Sequence, residues 1–205
     1  MNASVVWVSY ATTTAASLPA LAEMGAGPLQ LPRHRAGRHT LDMATTIVFL
    51  VRHAKAADRF DWTGGDRDRP LIDKGRHQAD RLAAALRREQ PVLVAASPWL
   101  RCRQTAAPLA AAMGLQVELD DRLGYDAPDV AAWVRSAVHD HPGEAVVGVS
   151  HGDLIPMYLF QTGLVDGFPE FRTGSLFRLE ASRGRVAKVE LVDRKELKRQ
   201  LGDAS

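Results

Sequence analysis

Short, almost wholly apolar runs broken by polar turns set the grain of this chain. Ile47-Val48-Phe49-Leu50-Val51 gives way at once to Arg52-His53, Pro91-Val92-Leu93-Val94-Ala95-Ala96 ends on Ser97-Pro98, and Glu144-Ala145-Val146-Val147-Gly148-Val149-Ser150 ends on His151-Gly152-Asp153. Runs this short, apolar at odd and even positions alike, suit strands covered on both faces, as in a parallel sheet. Val117-Glu118-Leu119 predicts a further, shorter strand. Between the strands the apolar residues recur at helical spacing. A helix from Asp73, as N-cap, to about Glu89 places Gly75, Ala79, Leu82, Ala83 and Leu86 on one face and Arg76, Asp80, Arg81 and Arg87 opposite. Cys102, Thr105, Ala106, Leu109 and Met113 form the stripe of a second helix, which Gly114 stops. Asp129 caps a third, with Val130, Trp133, Val134, Ala137 and Val138 inward, and Asp153 caps a fourth that accepts Pro156 in its first turn. After an irregular stretch over 168–173, Leu176–Glu180 and Val186–Leu191 alternate apolar with polar. That pattern predicts a hairpin, closed by Ser182-Arg183-Gly184, with one wet face. Arg194 to Gln200 predicts a short solvated helix. Strands alternating with helices give an α/β fold: three layers, α/β/α, around a mostly parallel central sheet.

Residues 1–42 depart from this pattern. Ala, Thr, Ser, Gly and Pro dominate and no period persists, so the segment is expected to be a disordered extension, with one domain over 43–205. Its basic residues (Arg33, His34, Arg35, Arg38, His39) follow the apolar part, the wrong order for a secretory signal. A net charge of +2 gives no global reason to expect a nucleic-acid partner. The single cysteine, Cys102, leaves no internal disulfide and suits a reducing, cytoplasmic compartment. No run approaches the ~18 apolar residues of a transmembrane helix, so no membrane partner is expected.

The chemistry gathers where the strands end. In open α/β sheets ligands bind beyond the strand C-termini. Arg52-His53 stand at the end of the first strand, and an arginine fork there fits phosphate or carboxylate. Two readings of that stretch alone stay open: an anion pocket with a histidine nucleophile, or a strand end surfacing into a polar loop. Arg101, in the first turn after the second strand, opposes its helix dipole by some tenths of a kcal/mol, a cost better explained if an anion binds there. His151 repeats the opening pattern after the fourth strand. Two arginines and two histidines at one edge match a tetrahedral dianion. Cys102 reads as a buried core residue, His139 and His141 as solvated surface histidines, and most charges of the 56–71 loop as solvent-facing. No metal-ligand spacing is visible.

Leu50-Val51-Arg52-His53-Ala54-Lys55, Arg69-Pro70-Leu71 with Gly75, Ser97 to Ala106, and Val149-Ser150-His151-Gly152 resemble, in order, the motifs of the histidine phosphatase superfamily, the phosphoglycerate mutase-like group. Within it, His-Ala-Lys and Arg-Pro-Leu resemble the SixA-type phosphohistidine phosphatases and the phosphatase domain that follows a Nudix domain in some actinobacterial proteins; no Nudix signature is present. The resemblance implies a phosphoglycerate mutase-like fold and a metal-independent phosphatase without a cofactor. It implies that His53 attacks phosphorus and that Arg52, Arg101 and His151 hold the phosphoryl oxygens. Lys55 is a further substrate-binding candidate. The chain departs from the family at the general acid: many members carry glutamate where this chain has Tyr125. Either the neighbouring Asp126 substitutes, or the leaving group needs no acid, as with a phosphoramidate; the SixA type also lacks the glutamate. The expected partner is therefore a phosphohistidine protein or a phosphorylated small molecule. A phosphatase of small sugar or nucleotide phosphates, and a non-catalytic phosphate-binding module, remain as alternatives.

Overall fold

The structure is a computed structural model that describes residues 44–182 and 184–202. The expected disordered extension over 1–42, the domain start at Met43, and Arg183 of the hairpin turn lie outside the described residues.

Among the described residues a six-stranded sheet has the order β3-β2-β4-β1-β5-β6. Its strands are β1 (Thr46–Arg52), β2 (Leu93–Ala96), β3 (Val117–Leu119), β4 (Ala145–Ser150), β5 (Leu176–Ser182) and β6 (Arg185–Val192). The first four run parallel, and β5 and β6 form the antiparallel hairpin on the β1 side. The helices are α1 (Asp73–Leu86), α2 (Leu100–Met113), α3 (Val130–Asp140), α4 (Leu154–Gln161) and α5 (Arg194–Gly202).

The near-continuous apolar character of β1 and β4 has its reason in two cores, one on each face. Val48 and Leu50 face α3 and α4, packing with Trp133, Val134, Ile155 and Leu159. Phe49 and Val51 face the other layer, packing with Leu82 and Leu86 of α1, Ala106 and Leu109 of α2 and Leu197 of α5. A strand alternates sides at every residue, so two covered faces demand apolar side chains throughout. The expected three-layer α/β/α fold with a mostly parallel sheet is what the chain adopts. Trp133 fills the space over β4 so closely that a Cβ on Gly148 would stand 2.6 Å from its ring.

Three local expectations are corrected. Asp73 is the first residue of α1 rather than its cap: Ile72 holds the cap position, and the Asp73 carboxylate pairs with Arg76. The Asp73 charge still stands in the first turn, where the helix dipole favours an anion. The helix ends at Leu86 and one 3-10 turn, Arg87–Glu89, completes the predicted span. The hairpin has its wet face on β6; on β5, Leu176, Phe177, Leu179 and Ala181 are buried and Arg178 pairs with Glu180. Asp129 and Asp153 cap as expected, accepting from the amides of Ala132 and Leu154. No helix among the described residues is long and apolar enough to cross a membrane.

Candidate active site

The order β2-β4-β1 brings the ends of three parallel strands side by side. β1 delivers Arg52 and His53, β4 delivers Ser150 and His151, and the turn after β2 leads into Arg101 of α2. The chain beyond β1 is pinned from two helices. Ala54 N donates to Thr105 Oγ1 at 2.9 Å and Lys55 N to Gln78 Oε1 at 2.9 Å. Leu71 N donates to Gln104 Oε1 at 2.7 Å, and Gly75 lets α1 approach so closely that a Cβ would lie 2.0 Å from the Lys55 carbonyl oxygen. The residues quoted with Arg101 and Arg69-Pro70-Leu71 in the sequence therefore act as supports for the site.

His53 is buried at 8 % exposure. Its Nδ1 lies 2.8 Å from the Ala54 carbonyl oxygen, which can only accept, so Nδ1 carries the proton and Nε2 the lone pair. Arg101 Nε donates to that Nε2 at 3.2 Å. Burial pushes the His53 pKa down to about 4; the Ala54 hydrogen bond opposes this, and the charges of Arg101 and Arg52 add to it. His53 is thus neutral at physiological pH, with an unprotonated Nε2 whose pair attacks once the Arg101 hydrogen bond gives way.

His151 is wholly buried beneath the cage. Its Nδ1 meets Arg101 NH2 at 3.4 Å, so it accepts there, and Nε2 donates to Ser97 Oγ at 3.1 Å. Burial, then the Arg101 charge, lowers its pKa strongly. The Tyr125 ring covers one face of His151, with centroids 4.1 Å apart. Arg101 itself is only 2 % exposed; Trp99 lies against its guanidinium at 4.6 Å. Arg52 donates to the Phe171 carbonyl, yet its buried Nε has no partner among the described residues. Gly152 makes room for that guanidinium: a Cβ there would lie 2.4 Å from Arg52 Cζ.

Arg52, His53, Lys55 and Arg101 line a cavity of about 730 Å³ at this edge, with Arg59 and Arg69 adding positive charge. His151 reaches the cage through Arg101 and is not one of the lining residues. Asp126, the expected substitute acid, does not line the cavity either; it pairs with Arg67 and is half exposed. The carboxylates that do line it are Asp58, Asp66 and Asp153. Asp66 reads from the sequence as one of many loop charges, and nothing in that polar run singles it out. Asp153 was read as a helix cap, which it is, and it also accepts from the Tyr125 hydroxyl at 2.7 Å. Cys102 is fully buried, and burial pushes its thiol up to about 12, as befits an inert core residue.

The family model of the histidine phosphatase superfamily (branch 1) matches residues 48–124. An 8-oxo-(d)GTP phosphatase of Mycolicibacterium smegmatis is 34% identical over 116 residues, 55% of this chain but only 36% of that relative's length. Among solved structures, a protein of Agrobacterium tumefaciens assigned as a SixA phosphohistidine phosphatase is 30% identical, with a TM-score of 0.53, over 71% of this chain and 97% of that one. The protein histidine phosphatase SixA complexed with tungstate shares the fold, at 22% identity and a TM-score of 0.58, over 71% of this chain and 93% of that one. With the ordered motifs at one sheet edge and a relative covered almost end to end, the chain belongs to the histidine phosphatase superfamily.

Proposed function

We propose that this chain is a phosphatase that passes its substrate's phosphoryl group through His53, and that it acts on leaving groups needing no proton from the enzyme, phosphohistidine in a protein foremost. The observation that carries this reading is the state of the acids around the cavity. The Asp66 carboxyl is pulled below the usual carboxylate range: burial opposes this, but the Arg69 hydrogen bond and the Arg101 charge outweigh it. Asp153 already accepts from Tyr125 and from Leu154 N. The Tyr125 hydroxyl is raised in pKa by burial and by its bond to Asp153, so it holds its proton. Asp58, the third carboxylate of the cavity, accepts from Phe60 N at 2.9 Å. Each lining carboxylate is thus engaged as an acceptor, an arrangement that does not favour protonating an alkoxide, help that is worth roughly 10²–10⁴-fold where an enzyme provides it.

A phosphoramidate leaves without that help. With its bridging nitrogen already protonated, the P–N bond breaks, the electron pair stays on nitrogen, and the neutral amine or imidazole departs. The His53 Nε2 pair forms the new N–P bond, while Arg52 and Arg101 hold the equatorial oxygens. Water then attacks phosphorus, the Nε2–P bond breaks, its pair returns to the imidazole, and orthophosphate leaves with the water's oxygen. The single cysteine fits action in a reducing, cytoplasmic compartment.

A second reading, a nucleotide phosphatase, is favoured by the 34% identity to the Mycolicibacterium relative; the leaving group of a phosphoanhydride also needs little protonation. Brief incubation with phosphoramidate, followed by mass spectrometry, should find one acid-labile phosphoryl group that is lost in His53→Ala. Absence of such an adduct would leave a phosphate-binding module as the better account. Turnover of a phosphohistidine protein, nucleoside triphosphates and sugar phosphates compared side by side then ranks the substrates; a sugar phosphate as the best of them would overturn the leaving-group argument.

A further inference from the structure

Asp66 lies in the run Asp66-Arg67-Asp68-Arg69, whose charges read from sequence as solvent-facing. The 3-10 turn Asp66–Asp68 instead places this residue on the cage. Its Oδ1 accepts from Arg69 Nε at 2.6 Å, its Oδ2 lies 3.3 Å from Arg101 NH2, and its carbonyl oxygen accepts from Arg101 NH1 at 2.7 Å. The last nitrogen of Arg101, Nε, donates to His53. Every nitrogen of the guanidinium assigned to the phosphoryl oxygens therefore already faces a partner within the chain. One of those partners is a carboxylate occupying an anion position.

We propose that Asp66 is a specificity-determining residue: its carboxylate fills one anion position of the cage, so the site selects phosphoryl donors of single net negative charge, phosphoramidates protonated on the bridging nitrogen, over the dianions of phosphate monoesters. This rests on phosphoryl transfer to His53. A second negative charge brought beside Asp66 meets repulsion, which water weakens without abolishing, because the Asp66 side chain is 31% exposed while the Arg101 it contacts is buried. The protonated nitrogen of a phosphoramidate instead brings positive charge into the same cavity, where Asp66 attracts it. The Arg69 and Arg101 contacts keep Asp66 ionised, so the selection operates throughout the neutral range. The competing account is that Asp66 only orients Arg101; it then aids every anion alike.

The two accounts give Asp66→Asn opposite signs. Asparagine keeps the shape, the backbone carbonyl contact and an acceptor oxygen, and removes only the charge. Tungstate, a dianion at neutral pH, should bind about tenfold tighter, and kcat/KM for p-nitrophenyl phosphate should rise by a similar factor relative to kcat/KM for phosphoramidate. Weaker tungstate binding, or an unchanged ratio between the two substrates, would overturn the proposal. If the variant does not unfold cooperatively, the unmodified chain decides. Methanesulfonate and methylphosphonate share a shape and differ by one charge at pH 8. The proposal expects the dianion to bind no more tightly than the monoanion, whereas a tenfold preference for the dianion rules Asp66 out. Failure to phosphorylate His53 would remove the proposed catalytic route yet leave these binding results standing, so the two ideas fail separately.

Discussion

Arg52 shows how much of the site depends on what its neighbours lack. Its guanidinium lies against the backbone of Gly152, donates to the Phe171 carbonyl and leaves a buried Nε without a partner among the described residues. Such a donor costs free energy until an oxyanion arrives. In Gly152→Ala the new methyl would stand 2.4 Å from Cζ and Nε, so the guanidinium must move while the strand behind it stays. We expect kcat/KM to fall by about 10²-fold or more with only a small change in thermal midpoint, because misplacing a positioned group acts on rate before stability. Steady-state kinetics beside a thermal melt check this; equal loss of both would show a folding defect instead. The cage residues Arg52, His53 and Arg101, and His151 beneath them, were legible in the sequence because each comes after an apolar run that fixes where it emerges. Asp66 and Asp153 were not, since a charge in a polar loop carries no pattern that tells inward from outward. Asp126 illustrates the converse. It is adjacent in sequence to Tyr125, yet after the 3-10 turn Asp121–Leu123 Tyr125 packs on His151 while Asp126 pairs with Arg67.

At the scale of elements, the site depends on α1 lying hard against the segment that follows β1. The Lys55 carbonyl accepts from Ile72 N at 3.1 Å, and Gly75 of the next turn passes directly over it. A methyl at Gly75 would meet backbone, 2.0 Å from that oxygen, and no flexible side chain is there to yield. Gly75→Ala should therefore destabilise the domain by about 2–3 kcal/mol, even though alanine is the better helix former. It should also lower activity, since Gln78 of the same helix holds Lys55 N. Urea unfolding gives the first quantity, and a stabilised variant would refute the close approach. The helices and strands themselves were largely legible, because period 3.6 and unbroken apolar runs are set by burial alone. The element ends were less so: β2 begins at Leu93 rather than Pro91, where proline offers no amide to the ladder. The 3-10 turns left no signal, since three residues are too few to show a period.

The molecule as a whole carries two neutral histidines and a buried arginine where three strands end, and this couples folding to pH. In the unfolded chain both histidines titrate near the ordinary 6.5; in the native state His53 is held to about 4 and His151 lower still, burial being the main cause for each. Above pH 6.5 neither state binds these protons, and their contribution to stability is fully present. Below it the unfolded chain takes up protons that the native chain refuses, so stability falls as pH falls, by at most ~1.4 kcal/mol per pH unit for each histidine. By pH 5 the two together should have removed roughly 4 kcal/mol, before carboxylates held below their usual range, such as Asp66 and Asp120, begin to contribute nearer pH 4. Denaturant unfolding at pH 7.5, 6 and 5 measures the slope. His151→Gln should reduce it by about half whatever it does to stability at pH 7.5, because the slope counts protons and not contacts. A curve flat between pH 7.5 and 5 would mean that the native histidines accept protons as freely as the unfolded ones, and His53 would then lose its claim to be a neutral nucleophile throughout that range.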